Sequence, residues 1–398
     1  MAGESEHLLG SIKNQRDHII LRAWTSGYTR RWSRNLRNVS LVLINIISNL
    51  AGNVTLTILS PTIQKIGSDG FVLLVHAVVI ASVSLAVLVI FTKIFIDKSV
   101  SLTPASSPKI ISANAFTNVA SYVLILYSSP PTRTPSYLQS ILFITVLPFT
   151  FLCRLLILRK GVSVGRGLCC CVIIVGLFIS SEPYIWGLNT KQRITNASNS
   201  LTERILWPLC NALGFIPFAL VNLTCEKELT RKNSEALNFV MWSLFGQVIM
   251  MVALFWTDLI PGFGMANGIS DFISHARKGL VCVYSTNSNC GDVLAKSWIF
   301  ISAFTIGTIS KYLLIQSSDG AIFAAIVEAV VGPFVTLFWT LFEYTEAENS
   351  VRWNPVFNET SVFSLGGFSM MIPGLIVYNY LTVQEEQSKE ESLYDLVN

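Results

Sequence analysis

Two charged side chains stand inside apolar runs where hydrocarbon is expected to surround them. Glu328 lies about nine residues into the run 320–342, roughly 13 Å along a helix. Lys311 lies about one and a half turns from the end of the preceding run, 297–316. An ionised carboxylate at such depth is costly without a partner, which suits Glu328 to carrying or gating a proton. Lys311 either snorkels to the interface or reaches across the short turn toward Glu328. If it stays in the interior it is placed to meet a solute carboxylate. His76, near the start of the second apolar run, is a weaker relay candidate and otherwise a packing histidine.

Uncharged polar residues recur at helical spacing in the same runs. Asn45, Asn49 and Asn53 share one face of the first, and Asn114, Asn118 and Tyr122 one face of the third. Gln139 opens the fourth, Asn211 and Asn222 lie in the sixth, and Gln247 lies in the seventh. These groups either hydrogen-bond between helices, worth under about 2 kcal/mol each, or line a wet cavity. On the cavity reading, Asn53, Asn114, Asn118, Gln139, Asn211, Gln247 and Lys311 form the candidate substrate-binding set.

The elements that must position them are ten apolar segments, at roughly 39–62, 71–94, 108–128, 135–158, 164–184, 204–225, 236–257, 297–316, 320–342 and 361–383. Each approaches the ~20 residues a helix needs to cross a bilayer. The 398 residues are 52% hydrophobic and 13% charged, half the charge of a soluble globule. Mean hydropathy is +0.55. No basic, aromatic-rich patch points to nucleic acid as a partner. The start of the chain is polar and does not read as a cleaved signal peptide.

Charge placement orients the ladder. Lys13, Arg16, Arg22, Arg30, Arg31, Arg34 and Arg37 precede the first segment, which places that end in the cytosol. Alternate loops then carry Lys98 and Lys109; Arg159, Lys160 and Arg166; Lys227, Arg231 and Lys232. The intervening loops are poor in unopposed cations, and one holds Glu343, Glu346 and Glu348. Ten spans return the C-terminus to the cytosol. The sequons at Asn196 and Asn358 both fall on the lumenal side of this arrangement and are the candidate glycosylation sites.

The long loop 258–296 is expected to be lumenal. Asp271 is read there as the cap of an interfacial helix, with Phe272, Ile273, Ala276 and Leu280 on one side and Gly279 closing it. Cys282 and Cys290 follow, and in an oxidising lumen they can pair or stay as free thiols. Cys169, Cys170 and Cys171 suit core packing, with palmitoylation as the lesser alternative. Ten spans divide into five plus five of opposite orientation, a recurrent transporter construction. Pro148-Phe149 against Pro333-Phe334, and Gly167 and Gly176 against Gly366, Gly367 and Gly374, echo between the halves. No zinc helix, nucleophile elbow or phosphate loop occurs, so neither an enzyme nor a cofactor is expected.

The stretches Thr132 to Ser140, Pro148, and Cys153 to Arg159 resemble the third to fifth spans of the chloroquine resistance transporter family. Ile216-Pro217, Asn222 to Glu226, and Leu237-Asn238 resemble its sixth and seventh. Lys278-Gly279, Cys282, Asn289 to Gly291, Ala295-Lys296 and Trp298 resemble its lumenal cysteine loop. Ile326-Val327 and Gly332-Pro333 match its ninth span, and Lys65 to Gly67 with Phe71-Val72 its first loop. The similarity covers roughly 40–380. It implies an all-α membrane protein of the drug/metabolite transporter fold, with ten helices, an inverted repeat and a central cavity.

The resemblance also implies a multi-pass protein of a digestive-vacuole, lysosome-like or plastid membrane, and with the tail motifs below the expected address is a lysosome, late endosome or vacuole. Such a protein would pass amino acids, small peptides, glutathione-like thiols or cationic drugs to the cytosol, often with protons. Glu226 falls on a family acid and joins Glu328 as a proton-coupling candidate, its alternative role being to pair with Lys227 or Arg231. The family's acid in span eight aligns with Thr308, and its ninth span lacks Glu328, so this chain departs from the pattern at both places. Only one lumenal bridge, Cys282 with Cys290, is available.

The chain accordingly divides into a basic cytosolic segment (1–38), a first five-helix repeat (39–184), a lumenal loop (185–203), a second repeat (204–383) containing the cysteine loop 258–296, and an acidic cytosolic tail (384–398). Glu4 with Leu8 and Leu9 resembles an acidic dileucine signal, and Tyr394 to Val397 a tyrosine-based one. Both are read by clathrin adaptors, the expected partners besides small-molecule substrate, protons and the lipid bilayer. Alternatives are a nucleotide-sugar transporter of the same fold class, which needs more cavity cations than Lys311, and a non-transporting scaffold or receptor.

Overall fold

The computed structural model describes residues 36–59, 62–63, 66–68, 70–96, 98, 100–130, 133–134, 139, 142–143, 145–159, 163–185, 201–230, 235–285, 290, 292–317, 320–345, 350–355 and 359–397. Helices occupy each of the ten apolar segments. They are α1 (Leu36–Leu59), α2 (Gly70–Phe91), α3 (Pro108–Ser128), α4 (Val146–Cys153), α5 (Val164–Ile185), α6 (Leu201–Leu229) and α7 (Ala236–Ala253). After the loop helix α8 (Ile269–Tyr284) come α9 (Val293–Ser317), α10 (Ala321–Leu341) and α11 (Glu359–Val397).

Among the described residues, seven helical stretches are long and apolar enough to cross a membrane: those of α1, α2, α3, α6, α7, α9 and α10. The apolar parts of the other three are shorter, Val146–Ile157, Val164–Ser180 and Leu365–Tyr378. Seven of the ten rungs are thus matched by helices of spanning length among the described residues. Burial is reversed from that of a soluble protein. Val83, Val87, Ile94, Leu156, Ile157, Val164 and Leu168 face outward, while Asn45, Asn114, Asn211, Asn222 and Glu226 lie within. A surface so apolar is stable against lipid and not against water.

The helices meet where side chains are smallest. A Cβ on Gly176 would lie 2.9 Å from the Gly367 carbonyl oxygen, and one on Gly214 2.7 Å from Ile125. Gly374 approaches Ile173 in the same α5–α11 contact. Close backbone approach gains dispersion contacts that lipid cannot supply. Gly176→Val therefore separates α5 from α11 at a cost of about 1–3 kcal/mol, measurable as a lower unfolding temperature in detergent.

Helix α10 is enclosed on all sides, every residue from Ala321 to Val331 being buried. That explains a sequence apolar around its whole circumference, with Glu328 as the exception. Helix α4 continues into a π-helical turn, Arg154–Leu158. Such wide turns re-aim side chains and are frequent at functional sites.

The loop helix departs from expectation in two ways. It begins after Gly268, not Asp271, whose carboxylate instead accepts the Asn267 N–H at 3.0 Å and pairs with His275 at 3.3 Å. Nor does Gly279 end it. That glycine lets α8 pass close to Ser68 and Val72, and the helix runs on to Tyr284. The Cys282 and Cys290 sulfurs lie at bonding distance, 2.02 Å. A small antiparallel hairpin, β1 (Phe342–Thr345) with β2 (Ser350–Trp353), follows α10, where the sequence had suggested only an acidic loop. Phe342 packs edge-on against Trp353 across it.

Candidate functional site

The charges in α9 and α10 meet. Lys311 Nζ lies 3.1 Å from Glu328 Oε1, with side chains 10% and 8% exposed. The turn through Gly320 reverses the chain between the helices and brings the two residues level. Nζ also stands 3.9 Å from the centre of the Phe218 ring on α6, a cation–π contact that offsets some lost hydration. Glu328 Oε2 is buried without a hydrogen-bond partner among the described residues. Of the two readings of Lys311 from sequence, the structure shows the reach toward Glu328 and not the snorkel to the interface.

A second buried pair lies nearer the end of the bundle that the charge pattern assigns to the cytosol, here the inner end. Arg154, in the π turn after α4, places Nε and an Nη each 3.0 Å from Glu226 Oε1. The other carboxylate oxygen accepts the Ala321 N–H at 3.1 Å. A carboxylate there complements the positive end of the α10 dipole. Gly320 makes the approach possible, because its φ of 90° is one that side-chain-bearing residues avoid and a Cβ would lie 2.7 Å from Glu226 Cδ. Glu226 thus pairs with Arg154, 72 residues away, a partner not considered from sequence. Further along, Arg166 pairs with Glu385 of α11 at 2.7 Å, and Ser163 also meets that carboxylate.

Of the asparagines, Asn114 has its amide fully engaged. It donates to Thr224 Oγ1 at 2.8 Å and toward Cys225 Sγ at 3.2 Å, and accepts from the Tyr312 hydroxyl at 3.1 Å. Asn118 donates back to Asn114. This network joins α3, α6 and α9 beside the ion pair. Asn45 bonds Gly307 O and Ser310 Oγ, and Asn211 donates to Ser128 Oγ at 2.9 Å, so both tie neighbouring helices.

The remaining candidates are not gathered with these. Asn53 is exposed and bonds its own helix at Asn49 O. Gln139 donates to Ser129 O and Thr134 O, bracing the loop ahead of α4. Gln247 is buried, with Oε1 unpartnered among the described residues. Asn196, Asn358, Glu4, Leu8 and Leu9 lie outside the described residues, and the Tyr394 to Val397 stretch continues α11.

At the opposite, outer end, Arg133 gathers three backbone carbonyls, those of Tyr127, Gly262 and Phe263, at 2.6–2.9 Å. Its guanidinium stacks 4.1 Å from the Trp207 ring. Burial pushes its pKa down, opposed by Cys210 and Tyr127, but a guanidinium stays charged regardless. Arg133, Arg154, Tyr312, Thr224 and Gly320 were not singled out from sequence as site residues. Arg154 had one available signal, a lone cation five residues inside the apolar run that Arg159 ends.

Comparison with known proteins bears on what such an arrangement is for. The family model described as CRT-like, chloroquine-resistance transporter-like, matches residues 39–378. No curated protein matches the chain significantly. A solved structure described as "Crystal structure of protein" is similar at a TM-score of 0.48 and 9% sequence identity, covering 89% of this chain and 99% of that one.

Proposed function

Because the chain belongs to the CRT-like, chloroquine-resistance transporter-like family, we propose that it is a secondary transporter in which Lys311 and Glu328 couple a proton to the passage of a small carboxylate-bearing solute. Family and apolar helices together make it a membrane transporter. The observation that carries the finer reading is the buried 3.1 Å pair between α9 and α10. While Glu328 is ionised, it occupies the Lys311 ammonium. A proton taken up by Glu328 cancels that attraction and frees the ammonium for a cargo carboxylate, a charge-assisted contact of comparable strength. The proton on Glu328 and the cargo carboxylate on Lys311 then leave the net charge at the pair unchanged, which keeps the desolvation cost there bounded.

On this reading, the cargo class is amino acids, small peptides or glutathione-like thiols, moving from an acidic lumen to the cytosol. Cationic drugs would use the carboxylate of Glu328 instead. The ten helices α1–α7 and α9–α11 would cross as two opposed sets of five, with both termini cytosolic. Asn196 and Asn358 would carry lumenal glycans, Cys282 and Cys290 would be bonded, and clathrin adaptors would read the two tail motifs. Charge placement and the sequons support the orientation, the closeness of the Cys282 and Cys290 sulfurs supports their bond, and the Leu8-Leu9 and Tyr394 patterns support the adaptor reading.

The direct test is Glu328→Gln in proteoliposomes with an imposed pH gradient. Gradient-driven accumulation should fall by roughly tenfold or more, while solute exchange at equal pH persists. A variant that keeps the wild-type rate and pH dependence would show that Glu328 does not couple protons.

A further inference from the structure

Asn222 presents a buried amide that packing leaves without a bond. The residue is 0% exposed, and among the described residues neither Nδ2 nor Oδ1 has a hydrogen-bond partner. Leaving both groups unsatisfied is costly, so an amide in this state marks a place for water or another polar guest. Its position is specific. On α6, Phe218, Asn222 and Glu226 recur every four residues and share a face. Phe218 lies against Lys311, and Glu226 bonds Arg154 and Ala321. On α10, Ala321 and Glu328 are two turns apart, roughly 10 Å. Asn222 therefore stands one turn from the residue serving each ion pair, level with the interval between them. Glu328 Oε2 is unpartnered as well.

We propose that the Asn222 amide holds water that carries the proton from Glu328 to Glu226, a step that rests on the coupling role proposed above. The charged and titratable groups around the interval from Glu328 to Glu226 are Lys311 and Tyr312 from α9, Arg154 after α4, Glu226 and Cys225 from α6, Tyr122 from α3 and Tyr378 from α11. Of these, Glu226 is the carboxylate placed to accept. The Glu328 carboxyl gives its proton to the first water, each water passes one of its own protons to the next, and the last passes one to the Glu226 carboxylate. The water is unchanged, and Glu328 is left ionised to pair again with Lys311. Neutral Glu226 holds Arg154 less firmly, so arrival of the proton loosens the inner contact between α4, α6 and α10. Its release on the inner side resets the contact.

Asn222→Ala and Asn222→Leu separate this from a packing role. Alanine leaves room for water, whereas leucine fills the same space with hydrocarbon. In proteoliposomes, Asn222→Ala should keep most gradient-driven uptake. Asn222→Leu should lose it by roughly tenfold or more while retaining exchange at equal pH. A packing role predicts the reverse order, because leucine fills the site better, and that order or equal losses would overturn the relay. If neither variant folds, Asn222→Ser, which retains a hydroxyl for water, should keep gradient-driven uptake, and its loss with exchange intact would overturn the relay equally. Failure of the coupling reading itself shows separately, as wild-type behaviour of Glu328→Gln.

Discussion

Lys311→Met should abolish uptake of carboxylate-bearing solutes and destabilise the protein by about 3–5 kcal/mol, because it leaves the buried Glu328 charge without its partner. Against a total stability of about 5–15 kcal/mol, that loss is large enough to lower the amount of folded protein recovered. Adding Glu328→Gln should restore most of the stability, since no charge then remains buried at that point. It should not restore transport, since neither proton nor carboxylate has a binding group. Thermal unfolding of the purified variants and uptake in proteoliposomes read the two effects separately. A double variant no more stable than Lys311→Met alone would mean that the two side chains do not act as a pair. The cycle also removes the concern that inactivity merely reports misfolding, because its most informative member is folded and inactive.

Why Lys311 and Glu328 were legible, while Arg154 and Glu226 were not, is a matter of chain distance. The first pair sits on consecutive helices joined by a short turn, so helical rise alone brings them level. Glu226 has cations at hand in Lys227 and Arg231, and nothing local favours an arginine 72 residues earlier. The asparagine stripes show a related limit. Four-residue spacing identified the face of α3 that carries Asn114 and Asn118, but not what that face meets. The structure spends it on Thr224, Cys225 and Tyr312.

Glycine was ambiguous in the same way. Gly279 has the composition of a helix stop, yet serves as a close-contact point against Ser68. Gly176, Gly367 and Gly374, three of the glycines that echo between the halves, occupy a helix crossing, whereas Gly167 meets nothing within 4 Å. The hairpin at 342–353 was hidden because its acidic residues suggested a solvated loop, although Phe342, Tyr344, Val351 and Trp353 are strand formers. Hydrocarbon makes the ladder legible, since it demands long apolar helices whatever they do. The contacts among those helices are set by tertiary pairing, which short-range pattern does not encode.

Gly320→Ala should open the inner contact and uncouple the transporter. Two costs add at that position. Alanine at a φ of 90° is strained by about 1–3 kcal/mol. Its Cβ would also stand 2.7 Å from Glu226 Cδ, so the carboxylate must leave Arg154 and the Ala321 N–H. Each charge-assisted bond lost costs about 1.5–3 kcal/mol. Gly262 supplies a matched control, with a φ of 77° but nothing within 4 Å of its Cβ position. Gly262→Ala should therefore show backbone strain alone, a modest fall in unfolding temperature with solute flux coupled as in the wild type. Gly320→Ala should be less stable than that control and should leak solute down its gradient without a matching proton flux. Equal stability and equal coupling in the two variants would mean that Glu226 holds nothing shut. A leak confined to Gly320→Ala identifies the Arg154–Glu226–Ala321 contact as the barrier on the inner side.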